Sequence, residues 1–178
     1  MFINPYFLAS TLTIDSVILG KQKNFPIALL MLLSGLFHVF FFSFGLYLGN
    51  QLVSLRGSVD HWLVLAVFSL LGLSCLKYFI TPINLDIEIT NSWIKIFIIT
   101  LTLSIDAAAV GAVSKGIIET PLVVIISIGI LSPLFVLIGR KIRNYLFNKN
   151  EKLLKLFEGI LYLSIGIGVV VSHLKGGF

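Results

Sequence analysis

The segment Thr11-Leu12-Thr13-Ile14-Asp15 recurs almost unchanged as Thr102-Leu103-Ser104-Ile105-Asp106, and both copies lie inside apolar runs. A glycine follows each aspartate at the same distance, Gly20 in the first copy and Gly111 in the second. A carboxylate in a membrane helix is unfavourable by about 2.5–3.5 kcal/mol on insertion scales. A chain that carries two such carboxylates in duplicated settings is expected to need them for its function. The duplication therefore predicts an ion or proton pathway built by a pair of repeats.

The composition around these segments is that of an all-α integral membrane protein. The 178 residues are 57% hydrophobic and 12% charged, and their mean hydropathy is +1.04, whereas a soluble domain is about 25% charged. The uncharged run Thr120–Gly139 is long enough to cross a bilayer. The single cysteine, Cys75, excludes an internal disulfide, and no Cys/His spacing suits zinc. No basic and aromatic pattern indicates a nucleic-acid partner. The apolar composition predicts that residues 1–178 form a single transmembrane domain surrounded by the lipid bilayer.

Glycine spacing extends the repeat beyond the aspartates and predicts its orientation. Gly35 and Gly45 match Gly129 and Gly139 with the same spacing, and Gly72 matches Gly166 at the same offset. The chain is thus expected to form two three-helix repeats, residues 1–85 and 90–178. Because three spans are an odd number, the second repeat must be inverted relative to the first. The six predicted spans are Asn4–Gly20, Pro26–Gly49, Trp62–Thr81, Trp93–Val113, Pro121–Gly139 and Leu153–His173.

Lysine and arginine predict the orientation of these spans. The loops after the first, third and fifth spans share one side, and that side carries most of the basic residues, with a dense cluster from Arg140 to Lys155. The other side carries only Arg56, Lys115 and Lys175. The positive-inside rule places the richer side in the cytoplasm and both termini outside. The sequence leaves homo-oligomer formation open.

Asp15 and Asp106 are the first candidate ligands for a divalent cation. Carboxylate oxygens suit Mg²⁺, Ca²⁺ and Mn²⁺, and two carboxylates neutralise a 2+ ion in a low dielectric. The alternative is that each aspartate caps a broken helix or hydrogen-bonds a neighbouring span. His38 lies in the middle of an aromatic span, where an imidazole can bind Mn²⁺ or simply hydrogen-bond another helix.

Hydroxyl groups near these residues are expected to support the site. They can add ligands or orient the carboxylates, or they can bond the carbonyl of the preceding turn. Ser132, the counterpart of His38 in the repeat, precedes Pro133, which is expected to free a carbonyl inside its helix. Glu119, Glu151 and Glu158 lie near predicted helix starts, where a carboxylate complements the helix dipole. The supporting hydroxyl residues are Thr11, Thr13, Ser16, Thr102, Ser104 and Ser132.

Several motifs resemble those of the MntP-type manganese efflux pumps, within the lysine exporter superfamily. The resemblance covers nearly the whole chain, including its order, length and six spans. It implies that Asp15 and Asp106 are the two membrane aspartates that such pumps require. His38 lies where that family usually has Glu or Gln, and Phe42 lies where it usually has proline. The matching segments are Thr102–Gly111, Asp60–Leu63, Gly139-Arg140 and Leu163–Leu174.

The expected function is export of a divalent metal, with Mn²⁺ as the transported substrate and no bound cofactor. The sequence contains no nucleotide-binding loop and no nucleophile–base set, which favours a gradient-driven transporter over an enzyme. Two alternatives stay open. One is lysine-exporter-like efflux of an amino acid or other small solute, and the other is a sporulation-associated membrane protein of the same superfamily.

Overall fold

Every regular element that the structure describes is an α-helix. The computed structural model describes residues 4–20, 22, 25–56, 61–80, 92–114, 118–142 and 150–174. Asp60, Asp86, Glu88, the loop 143–149 and both termini lie outside these ranges. The helices are α1 (Pro5–Thr13), α2 (Ser16–Leu19), α3 (Ile27–Arg56), α4 (His61–Ile80), α5 (Ser92–Val113), α6 (Pro121–Lys141) and α7 (Asn150–Leu174).

Four of these helices are long and apolar enough to cross a membrane, and together they make this a multi-pass membrane protein. Their apolar segments are Ile27–Gln51, Ile96–Val113, Pro121–Lys141 and Lys152–Val171. Two further apolar segments, Pro5–Leu19 and Trp62–Lys77, are shorter. Large apolar side chains are exposed every four residues along α3, at Leu32, Leu36, Phe40 and Phe44. In a helix of this kind, such an exposed stripe faces lipid.

The first predicted span is occupied by two helices, α1 and α2, with an interruption at Asp15 between them. Helix α1 starts with Pro5 at its first position, and the Asn4 side chain accepts hydrogen bonds from the Tyr6 and Phe7 amides. At the interruption, the Ile18 amide donates to the Asp15 carbonyl at 2.8 Å, a tighter i→i+3 bond. The second copy of the motif lies instead inside the continuous helix α5. The two halves therefore differ at their aspartates.

Long helix–helix contacts hold the bundle together. Helix α3 packs against α5 and α6, α1 and α2 pack against α6, and α4 packs against α7. The larger apolar core includes Leu12, Phe42, Val110 and Ile128, all of them buried. These contacts bring the aspartate-bearing segments α1–α2 and α5 to the inside of the bundle.

Equivalent glycines make equivalent close contacts in the two halves. A Cβ added to Gly45 would overlap the Ala108 carbonyl oxygen, and one added to Gly139 would overlap the Val17 carbonyl oxygen. Ala108 and Val17 each follow their own aspartate by two residues. A second matched pair of overlaps joins Gly111 to Phe42 and Gly20 to Val136. Small residues thus bring α5 against α3, and α1–α2 against α6.

Substituting Gly45 by alanine is expected to lower the thermal stability of the purified protein. The added methyl group meets backbone, which cannot rotate away, so α3 and α5 must separate. The matched control is Gly168→Ala, since a Cβ there meets nothing within 4 Å. Alanine at position 168 should leave the melting temperature equal or slightly higher, because alanine is the better helix former. Equal melting temperatures for both variants would contradict the close packing at Gly45.

Candidate metal site

Three carboxylates from three different segments meet inside the bundle. One ligand oxygen from each of Asp15, Asp106 and Glu158 lies within 4.8 Å of the other two. Two oxygens bound to the same hard cation at about 2.0–2.6 Å are at most about 4–5 Å apart. The observed spacing is therefore compatible with a single ion shared by all three groups. We call these residues the carboxylate cluster.

The cluster is shielded from its surroundings. Asp15 is 2% exposed and Glu158 is 1% exposed, while Asp106 is partly buried. Asp15 lies at the interruption between α1 and α2 and makes no capping hydrogen bond with its side chain. The capping alternative therefore does not explain Asp15.

Two side chains from α7 contact the cluster directly. The buried Tyr162 hydroxyl donates to Asp106 Oδ2 at 2.9 Å. Lys155 Nζ donates to Glu158 Oε2 at 2.7 Å, one helical turn away. Helix α7 thus supplies a carboxylate, a hydroxyl donor and an ammonium group to the same region.

Several buried polar atoms of the cluster and of the neighbouring His38 lack a hydrogen bond within the described part of the chain. They are both carboxylate oxygens of Asp15, Oε1 of Glu158 and Nε2 of His38. A buried polar atom without a partner is unfavourable by about 1–3 kcal/mol, and more when it is charged. Unpaired acceptors on neighbouring buried side chains are the arrangement that a cation would satisfy.

The hydrogen bonds of His38 indicate which of its nitrogens faces the cluster as an acceptor. His38 Nδ1 lies 2.9 Å from the Ser34 carbonyl oxygen, which can only accept, so Nδ1 carries the proton. In the neutral ring Nε2 is then a lone-pair acceptor, and it lies 3.5 Å from Asp15 Oδ1. Two acceptors that face each other require a cation between them, either a proton or a metal ion.

Serine hydroxyls connect His38 to three helices. Ser104 Oγ lies 3.1 Å from His38 Nδ1, and Ser132 Oγ lies 3.5 Å from it. Ser16 bonds Ser132 at 3.0 Å, and Ser34 donates to Ser16 at 2.9 Å and also bonds Ser132. The structure thus brings together three of the predicted hydroxyl residues, Ser16, Ser104 and Ser132. This buried network fixes the orientation of the imidazole.

The three predicted threonines do not join this network. Among the described residues, their hydroxyls bond only a carbonyl one turn earlier: Thr11 to Phe7, Thr13 to Ala9 and Thr102 to Ile98. Thr102 is also exposed.

Helix α6 continues through Pro133, whose ring packs against Gly35.

Glu158 is the residue that the sequence interpretation missed. Its assignment to a helix start is wrong, because α7 begins at Asn150 and Glu158 lies more than two turns inside the helix. In the register that aligns Gly72 with Gly166, Glu158 aligns with Val64, so a search for duplicated residues passes over it. The available signal was a carboxylate within the apolar segment Lys152–Val171, to which the reasoning used for the aspartates applies.

Comparisons with known proteins show the family to which this chain is related. A family model described as "Mntp: Putative manganese efflux pump" matches residues 21–170. A protein of Campylobacter jejuni named putative manganese efflux pump MntP is 28% identical over 186 residues, which cover 97% of each chain. A protein of the same name from Desulfitobacterium hafniense is 30% identical over 131 residues, covering 73% of this chain and 69% of the relative.

A third relative, putative manganese efflux pump MntP 2 of Wolinella succinogenes, is 31% identical over 136 residues, or 72% of this chain and 71% of the relative. No solved structure matches the chain. The identities are low, so this chain is a divergent relative of the proteins named here. Since the family model extends over most of the sequence, the chain belongs to the Mntp family of putative manganese efflux pumps.

Proposed function

We propose that this protein exports a divalent metal cation, with Mn²⁺ as its substrate, across the plasma membrane of a prokaryote. The observation that carries the proposal is the carboxylate cluster, with its unpaired oxygens inside a membrane bundle. Hard oxygen ligands suit Mn²⁺, and the adjacent His38 imidazole adds a nitrogen ligand that Mg²⁺ and Ca²⁺ rarely use. The relatives named as manganese efflux pumps support the same substrate.

The proposed architecture is six spans in two inverted repeats, with the shorter segments Pro5–Leu19 and Trp62–Lys77 as the first and third spans. The matched glycine contacts support this symmetry, because Gly45 at Ala108 and Gly139 at Val17 are the same contact in the two halves. In inverted-repeat transporters the site lies at the interface of the repeats, and the halves rock around it. Asp15 and Asp106 come from different halves, so such rocking would open their cluster to each side in turn.

Export of a divalent cation needs an energy source. An inside-negative potential opposes outward movement by about 2.3 kcal/mol per charge per 100 mV, and Mn²⁺ carries two charges. Exchange for protons at the cluster is the coupling route that we propose. The carboxylates and the imidazole each bind either a proton or a metal ion, so loading with one displaces the other.

The proposed orientation places the Arg140–Lys152 loop in the cytoplasm and both termini outside. Residue 176 changed to cysteine should react with a membrane-impermeant maleimide in intact cells, whereas cysteine at residue 148 should react only after lysis. Both positions lie outside the described residues, and the labelling should be done in a Cys75→Ala background to remove the native thiol. If only the cysteine at residue 148 is labelled in intact cells, the proposed orientation is wrong and the protein has the opposite one.

Metal sensitivity of growth tests the proposed function. A strain without this protein should become sensitive to added manganese, and a plasmid copy should restore growth. The same strains should respond equally to added lysine or other amino acids. Sensitivity to an amino acid, with no response to manganese, would instead support the solute exporter that the superfamily resemblance left open.

A further inference from the structure

We infer that Lys155 and Glu158 together set the charge of the carboxylate cluster to match one divalent cation. The inference rests on the proposed metal transport and adds a selectivity element on α7. Lys155 has no counterpart among the duplicated residues, and the sequence alone placed it with the basic residues of the cytoplasmic side. In the structure its ammonium group is directed to Glu158, and its side chain is 16% exposed.

Glu158 has one oxygen bonded to the lysine and one buried oxygen without a hydrogen bond among the described residues. Its Oε2 accepts from Lys155 Nζ at 2.7 Å. Its Oε1 is buried and has no hydrogen bond within the described residues. The same residue is one of the three that place a ligand oxygen within 4.8 Å of the others. Glu158 therefore connects the ammonium group to the proposed ion site.

The charge count follows from these contacts. A carboxylate that ligates a metal is deprotonated, so the three carboxylates contribute three negative charges in the loaded state. The Lys155 ammonium contributes one positive charge beside them, and His38 as a ligand is neutral. The site without its ion then has a net charge of −2, which one divalent cation neutralises. Uncancelled charge is strongly unfavourable in a low dielectric, so this balance disfavours monovalent and trivalent ions.

A purely structural ion pair would behave differently. Replacing both partners of a buried pair by uncharged residues is often neutral for stability, and it has no reason to change ion selectivity. The charge-setting role instead predicts opposite effects of the two single changes. Lys155→Met leaves three negative charges, which favours a trivalent ion. Glu158→Gln leaves two carboxylates beside an unpaired ammonium, which disfavours any cation. Both changes together restore two negative charges.

Binding of Mn²⁺ and of the trivalent probe Tb³⁺ to the purified full-length protein in detergent tests this inference. Tyr162 contacts Asp106 at 2.9 Å, so it should sensitise the luminescence of Tb³⁺ bound at the cluster, and Mn²⁺ can be measured by competition. Lys155→Met should tighten Tb³⁺ binding relative to Mn²⁺ by about tenfold or more. Glu158→Gln should weaken Mn²⁺ binding by about tenfold or more, and the double variant should return to within about threefold of the native protein.

The control is Lys152→Met, which removes a lysine one turn earlier on the same helix. It should leave the binding of both Mn²⁺ and Tb³⁺ unchanged. Elution of every variant as a single species in size-exclusion chromatography shows that the fold is retained. If the native protein binds Mn²⁺ and Asp15→Asn abolishes that binding, but the ratio of the two ions is the same in all α7 variants, the inference is wrong and the proposed function stands. If the native protein binds neither ion, the proposed function itself is wrong.

Discussion

Asp15→Asn and Asp106→Asn are each expected to reduce manganese export to the level of cells that lack the protein. Asparagine keeps the size and one oxygen ligand, so the change removes charge with little effect on packing. A unit charge at about 4 Å from an ion contributes about 4 kcal/mol per ionic charge at an effective dielectric constant of about 20. The energy for a single ionic charge already corresponds to roughly a thousandfold in ion affinity, and Mn²⁺ carries two charges. Export should be measured as manganese resistance and as loss of manganese from preloaded cells.

The matched control for both variants is Glu119→Gln. Glu119 is an exposed carboxylate outside the cluster, and its loss should leave export unchanged. Protein abundance in the membrane fraction must be similar in all three variants, since a buried amide can also impair folding. Normal resistance in both aspartate variants would remove the carboxylate cluster from the transport pathway.

His38→Leu is expected to impair export strongly, and His38→Gln is expected to retain most of it. Leucine removes both the donor to the Ser34 carbonyl and the nitrogen that faces Asp15. Glutamine supplies an N–H donor and an oxygen ligand on a flexible chain, so it can replace both functions. The initial rate of export, measured at several manganese concentrations, should show the leucine variant impaired at every concentration.

Ser114→Ala is the control for loss of a buried polar group. Ser114 directly follows the last residue of α5 and is fully buried. Its hydroxyl donates to the Gly111 carbonyl, away from the cluster. Its replacement should cost some stability and leave export intact. If the leucine and glutamine variants at position 38 both export like the native protein, His38 is a packing residue, and the metal ligands are the carboxylates alone.

Duplication made part of this site predictable from the sequence. Asp15 and Asp106 lie in matching motifs inside apolar runs, where a charge is energetically unfavourable. The predicted start of α6 at Pro121 and the predicted end of α5 at Val113 agree with the structure. Proline is common at the first position of a helix, and charged or glycine-containing segments mark helix ends. The sequence left a break at either aspartate as an alternative, and the structure shows one only at Asp15, since the second copy of the motif forms a continuous helix.

The rest of the site depends on tertiary contacts that leave no repeat in the sequence. Glu158 aligns with a valine, and Tyr162 aligns with Phe68, so neither carries a duplicated polar signal. From the sequence, Lys155 indicates only orientation, because a lysine near a predicted span end is ordinarily solvated. Only the packing of α7 beside the aspartate-bearing segments shows that these three side chains converge on the cluster.

The most direct test of metal export is the total manganese content of cells grown with a fixed excess of manganese. Three strains should be compared by elemental mass spectrometry: one without the protein, one with the native chain and one with Asp106→Asn. We predict that the native chain lowers cellular manganese severalfold, and that the variant leaves it as high as in the strain without the protein. Equal manganese in all three strains, with the native chain present in the membrane, would contradict the proposed function.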